Sequence, residues 1–258
     1  MPDKKIKFID LSLPIESVPS DPEFMVPQIE YTDHRGGLAS TRELLGCAPE
    51  DLPLGLGWAV EKVVLSTHSG THLDAPWHYA PISEGKKAKT IDQIPLEWCF
   101  GNGVVLDFRR KRDGSLITVE DLERALKKIS YKIKPRDIIL IMTGADRYWG
   151  KPEYLVKGCG MGRESTLYLI DRGVKVVGID AWSWDRPLPF IKKDFQEQKD
   201  ATILWAAHFA GIEKEYLHIE KMANLSRLPP RGFTLICFPV KIKSASAGWV
   251  RPVAMVKG

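Results

Sequence analysis

Apolar positions along this chain fall into short runs separated by polar stretches rich in glycine and proline. Residues 6–13 (Ile-Lys-Phe-Ile-Asp-Leu-Ser-Leu) read as a strand stopped by Pro14. Residues 58–67 are rich in β-branched side chains and also read as a strand. The short, nearly continuous apolar runs at 103–108, 137–142 and 174–179 predict strands buried on both faces, and 233–240 and 249–256 predict the last two. Between them the period changes. Thr118 and Asp121 form a capping-box-like start, and Val119, Leu122, Leu126 and Ile129 follow at helical spacing. Residues 163–171 predict a second helix, closed by Gly173, and 201–211 a third. Strands alternating with helices predict a mixed α/β architecture.

Two regions lack a clear period. Residues 16–57 are rich in Pro, Gly, Asp and Glu, and read as a long irregular segment, either a surface excursion without a role or a lid or arm to a partner subunit. Residues 188–200 carry mixed charge with scattered aromatics. Loops after strand ends often carry the site, so Asp146, Arg147, Asp180, Trp182 and Trp184 are pocket candidates, Asp180 being equally suited to a turn or cap.

Composition narrows the class. With 258 residues, 44% hydrophobic and 27% charged, the chain has the make-up of a soluble globular protein, and no repeat or linker divides it. A net charge of +4 does not call for a nucleic-acid partner. No stretch approaches the roughly 20 apolar residues of a membrane span, and Met-Pro-Asp-Lys-Lys leads into no secretory signal. Cys47, Cys99, Cys159 and Cys237 are widely spread without a C-x-x-C pair, the pattern of free thiols in a reducing cytoplasm.

The chemistry concentrates in one stretch, His68-Ser-Gly-Thr-His72-Leu-Asp74-Ala-Pro-Trp-His78, which holds three of the six histidines and an aspartate. Histidine and carboxylate are preferred ligands of zinc, manganese and iron. On a straight strand His68 and His72 would stand roughly 13 Å apart, too far to share an ion. On a helix they would meet, but Asp74 would point elsewhere. The segment must bend. Gly70 can supply an unusual backbone angle, and Pro76 suits the first turn of a short helix that brings His78 near Asp74.

The stretch resembles the H-x-G-T-H-x-D-x-P-x-H signature of the metal-dependent cyclase family, which includes bacterial kynurenine formamidases and isatin hydrolases. The opening Asp10-Leu11-Ser12 with Pro14-Ile15, and Thr90 to Pro95, also resemble that family. So do His208 and Glu220, twelve residues apart and followed by Asn224-Leu225 and Leu228-Pro229. His218 competes with them but does not match the family position. The resemblance implies a single domain over 1–258 with the swivelling β/β/α fold, usually a homodimer or homotetramer. It implies metal ligation by His68, His72, Asp74, His208 and Glu220, and a catalytic role for His78. Zn2+ and Mn2+ both suit such ligands, in one or two ions. The expected activity is hydrolysis of a small molecule's C–N amide bond, linear as in an aryl formamide or cyclic as in a lactam. The alternatives are a lyase or cyclase acting on a carbonyl compound and a non-catalytic small-molecule-binding protein. Trp182 or Trp184 is expected to line the pocket.

Overall fold

The computed structural model describes residues 5–19 and 21–258; residues 1–4, which carry most of the N-terminal pattern read above, and Ser20 lie outside it. In chain order the elements are β1 (Ile6–Asp10), β2 (Gln28–Thr32), α1 (Leu38–Leu45), β3 (Val60–Val64), β4 (His72–Asp74), α2 (Pro76–Tyr79), β5 (Ile82–Ser83), β6 (Lys86–Lys87) and β7 (Phe100–Asp107). They continue with α3 (Val119–Lys128), β8 (Ile138–Met142), α4 (Arg163–Ile170), β9 (Val176–Ile179), α5 (Leu188–Gln198), α6 (Ala206–Glu213), β10 (Leu217–Glu220), β11 (Arg231–Ile236), β12 (Ala247–Trp249) and β13 (Val253–Lys257). Nine strands form one mixed sheet in the order β1-β13-β11-β7-β8-β9-β10-β4-β12.

The four middle strands, β7 to β10, run parallel, and the strands on both sides join antiparallel. Parallel neighbours need crossovers, and α3, α4 and then α5 with α6 supply them. β8 shows why its sequence is uninterrupted Ile-Ile-Leu-Ile-Met. All five side chains are buried, Ile139 and Ile141 under α3 and α4, and Ile138, Leu140 and Met142 on the other face. Burying each such side chain contributes roughly 1.5–3 kcal/mol. That second face is covered largely by the sheet itself. Its apolar cluster joins Ile9, Phe233 and Ala254 from one end of the strand order with Leu73 and Ile219 from the other. The two ends also touch directly, because Ala223 N donates to Leu11 O (2.9 Å) and Leu13 N to the Thr71 hydroxyl (2.8 Å). The sheet therefore curls around its own core.

The capping box at Thr118 forms as expected: Asp121 N donates to Thr118 Oγ1 (3.3 Å) and Thr118 N to Asp121 Oδ2 (3.0 Å). Three expectations need correction. Residues 16–57 are not wholly irregular, since they contain β2, which pairs with β3, and α1. No β2 residue is buried, and only Thr41 is buried in α1, so neither element shows the periodicity that burial imposes. Residues 188–200 hold α5, whose one buried side chain is Ile191. The helix expected over 201–211 is broken by Trp205 at φ 48°, and α6 starts only after it.

Candidate metal centre

The bend expected in the histidine stretch lies at 67–70, where Gly70 takes φ +61°. A Cβ there would meet Ile15 at 3.3 Å. The chain then straightens into β4, and the strand period of two puts His72 and Asp74 on one face. β4 pairs antiparallel with β10 in a register that sets His72 opposite Glu220 and Asp74 opposite His218. The intervening Leu73 and Ile219 point into the curled core. Four histidine and carboxylate side chains thus form a two-by-two array on the helix-covered face. Pro76 opens α2, whose single turn brings His78 Nε2 to 3.9 Å from Asp74 Oδ2.

His68 and His208 complete the cluster. His68 Nδ1 lies 2.9 Å from Asp74 Oδ1. His208 enters from α6 with Nε2 3.7 Å from Glu220 Oε1. His72 Nε2 stands 3.4 Å from Asp74 Oδ1 and 3.6 Å from Glu220 Oε2, and His218 Nε2 stands 2.8 Å from Asp74 Oδ2 and 3.3 Å from Glu220 Oε1. Five of the protein's six histidines therefore meet at two carboxylates.

Surrounding groups aim the rings. His72 Nδ1 faces the Gly70 carbonyl (2.9 Å), so its proton belongs there and the Nε2 lone pair faces the cluster. Asp185 accepts from Ala207 N and His208 N at the start of α6 and binds His208 Nδ1 at 2.5 Å, fixing that ring in the same sense. The Tyr216 hydroxyl donates to Ala207 O (2.8 Å) and Tyr79 lies within reach of Asp74 O (3.4 Å). Their oxygens are then free to accept from His218 Nδ1 (3.1 Å from Tyr79, 3.3 Å from Tyr216), leaving its Nε2 toward the carboxylates. Glu220 Oε1 accepts Trp184 N at 2.7 Å.

Electrostatics separate the members. Burial pushes His72 and His78 down to about 4, against the pull of Asp74. His218 goes the other way: burial opposes its charge, but the Asp74 and Glu220 carboxylates beside it raise it to about 9. Burial works against ionised Glu220 too, yet His218 draws it down to about 2. Asp74 falls well below the carboxylate range under His78 and His72, although its burial acts upward.

The donor set fits a divalent cation. Among the described residues, His72 Nε2, both Asp74 oxygens and His218 Nε2 are buried without a well-directed hydrogen-bond partner. Buried polar atoms normally have one, and nitrogen and oxygen donors sharing a centre suit zinc or manganese. Asp74, His208, His218 and Glu220 form one group whose ligand atoms lie within 4.8 Å of one another, and His68, Asp74 and His78 form another. The His68 and His78 side chains are 17% and 20% exposed and the others at most 8%, so access is from their side.

The pocket candidates separate. Trp184 is fully buried, stacked near His218 (6.0 Å between centroids) with Nε1 on Thr166 Oγ1, so it offers no open wall. Trp182 is half-buried, with Nε1 on Asp21 Oδ1 (3.0 Å). Trp205 stacks on His208 at 4.5 Å and lies 5.5 Å from His78. It also lines an apolar groove of about 440 Å³ with Leu188, Phe195, Leu204 and Phe209. Asp180, Asp146 and Arg147 pin loops: Asp180 accepts from Thr143 N, Thr143 Oγ1 and Gly144 N, Asp146 accepts Asn224 N, and Arg147 donates to Gly144 O. Sequence reasoning missed Trp205 and Asp185, which carried no signal, and set aside His218. His218 did carry one, since in a strand it must share a face with Glu220.

A mixed α/β chain with this cluster has the make-up of a metalloprotein. The chain belongs to the Cyclase family, whose model matches residues 9–186. It is 30% identical over 195 residues, 73% of this chain and 76% of the relative, to a kynurenine formamidase of Salinibacter ruber. An isatin hydrolase bound to the product analogue thioisatinate superposes with TM-score 0.76 at 18% identity, covering 98% of this chain and 93% of that one. Isatin hydrolase A of Ralstonia solanacearum gives 0.77 at 22% identity, covering 98% and 92%. No helix among the described residues is long and apolar enough to cross a membrane.

Proposed function

We propose that the protein is a metal-dependent hydrolase of a carbon–nitrogen amide bond in a small molecule, an aryl formamide or a cyclic amide. The observation that carries this reading is the convergence of unpartnered histidine and carboxylate atoms in a buried cluster that opens to solvent at His68 and His78. Its support from relatives is the kynurenine formamidase and isatin hydrolase likeness. His68, His72, Asp74, His208 and Glu220 would hold one or two Zn2+ or Mn2+ ions, with His218 beside them. A divalent ion in such a site brings the ionisation of water toward neutral pH and polarises a carbonyl.

The protein's own groups supply the rest. An amine leaves poorly unless protonated, so a proton must move from water to nitrogen. His78 Nε2 takes it up and delivers it, being at the accessible rim and not needed as a ligand. Trp205, beside His78 and His208, favours a flat or apolar substrate. On the same reading the fold is the swivelling β/β/α arrangement in one domain, the cysteine pattern fits the cytoplasm, and the β2–β3 arm contacts a second copy of the chain.

The family's name favours a second reading, a lyase or cyclase acting on a carbonyl compound. One experiment separates the two: formanilides, N-formylkynurenine, isatin and small lactams are offered to metal-analysed protein, and products are weighed by mass spectrometry. Hydrolysis adds one water. Turnover without that gain selects the second reading, and no turnover of any amide removes the first.

A further inference from the structure

Lys221 directly follows Glu220 and is fully buried, which lysine almost never is without a partner. Its φ is +55°, in the region that favours glycine and persists elsewhere only where the surroundings impose it. Its polar groups reach three segments. The N–H donates to Ala181 O (3.0 Å), and the carbonyl accepts from Thr71 Oγ1 (2.5 Å). The ammonium donates to Asp21 Oδ1 (2.8 Å) and to the carbonyl of His68 (3.2 Å), and lies over the Trp182 ring. Asp21 belongs to the 16–57 segment, is buried, and also accepts Trp182 Nε1.

Two of these contacts fall on the turn that presents His68 and His72. That turn pivots at Gly70, and a glycine pivot holds a ligand loosely unless something else fixes the backbone on either side. Thr71 Oγ1 and the His68 carbonyl flank the pivot, and Lys221 holds both. The ammonium can stay there only because Asp21 balances its charge, since an unpaired buried cation is costly. Stability alone is a weak reason for such a pair, because apolar replacements of similar volume are often as stable. Position is a stronger one. We propose that Asp21 and Lys221 are positioning residues that fix the His68–His72 turn and so set the affinity of the metal centre. The inference rests on the metal reading given above.

The test measures zinc affinity by competition with a chromophoric chelator, alongside thermal melting of the metal-free protein. Asp21→Leu combined with Lys221→Met replaces the pair by apolar side chains. The expected result is a metal-free Tm near that of the wild type and zinc binding weaker by about 10–100-fold, the usual cost of losing a group that orients a ligand. Asp21→Asn, which keeps the side chain's shape, should weaken zinc several-fold. Wild-type zinc affinity in the double variant overturns the inference, and if that variant does not fold, wild-type affinity in Asp21→Asn overturns it equally. His72→Ala separates the two levels of the argument. Wild-type protein that binds no more zinc than His72→Ala would remove the metal reading itself, and this inference with it.

Discussion

At the scale of single residues, the centre is a contest between burial and charge. His78 stands with His68 at the rim, 3.9 Å from Asp74 Oδ2, and on the proposed reading it alone of the two meets substrate without being spent on an ion. His78→Ala should therefore keep its full metal content by elemental analysis and lose roughly 10²–10⁴-fold in turnover. Metal loss would make it a ligand, and unimpaired turnover would remove it from the chemistry. Asp180 makes a separate statement about pH. Burial pushes its carboxyl up to about 7, although Thr143 and Gly144 donate to it. The unfolded value is about 4, so the folded state binds the proton more tightly. Its contribution to stability is complete below about pH 4 and is lost as pH rises through about 7. Chemical denaturation across that window should give a falling slope in the wild type that Asp180→Asn lacks, and equal slopes would contradict the assignment.

At the scale of elements, legibility in the sequence followed burial. β8, β9 and α3 could be read because each packs against something, and packing writes a period into the chain. β2 and α1 could not, because in this chain they cover almost nothing. The bend at Gly70 and the turn at Pro76 were readable because glycine and proline restrict backbone geometry by themselves. The β4–β10 register was not: nothing local in either strand says which partner it will meet, and so His218 was set aside although it lies opposite Asp74. The position of α6 depends on a contact equally invisible in sequence. Gly211 packs so closely on α2 that a Cβ would lie 2.2 Å from Tyr79 Cδ2. Gly211→Ala should push Tyr79 against His218 and cost about 1–3 kcal/mol by overpacking, seen as a lowered Tm. A Tm at or above that of the wild type would show that the helices can separate without cost.

At the scale of the whole molecule, the β2–β3 arm is the unfinished part. Val60, Val63 and Val64 are 52%, 44% and 56% exposed, and Tyr31 beside them 72%. β-branched side chains lined along an exposed ribbon are a liability unless another surface covers them. The oligomer proposed above would supply that surface. Val63→Lys with Val64→Lys should shift the protein to monomer by light scattering, with secondary structure intact. An unchanged mass would place the contact elsewhere, and a wild-type monomer would leave the arm a lid.

The pairing of β4 with β10 also has a consequence during synthesis. When Asp74 leaves the ribosome its partners His218 and Glu220 do not yet exist; they follow roughly 150 residues later, on the order of ten seconds at usual elongation rates. On the metal reading proposed above, a nascent chain therefore carries the histidine stretch as a loose, low-affinity chelator for most of its translation. On that reading, tight capture of an ion would wait until the last third of the polypeptide has docked. Because the ion then binds the finished form and not its precursors, free metal at about 100 times the dissociation constant would add about 2.7 kcal/mol to the finished form alone. In a cell short of that metal, the newly made protein would be the first pool to be lost to proteolysis.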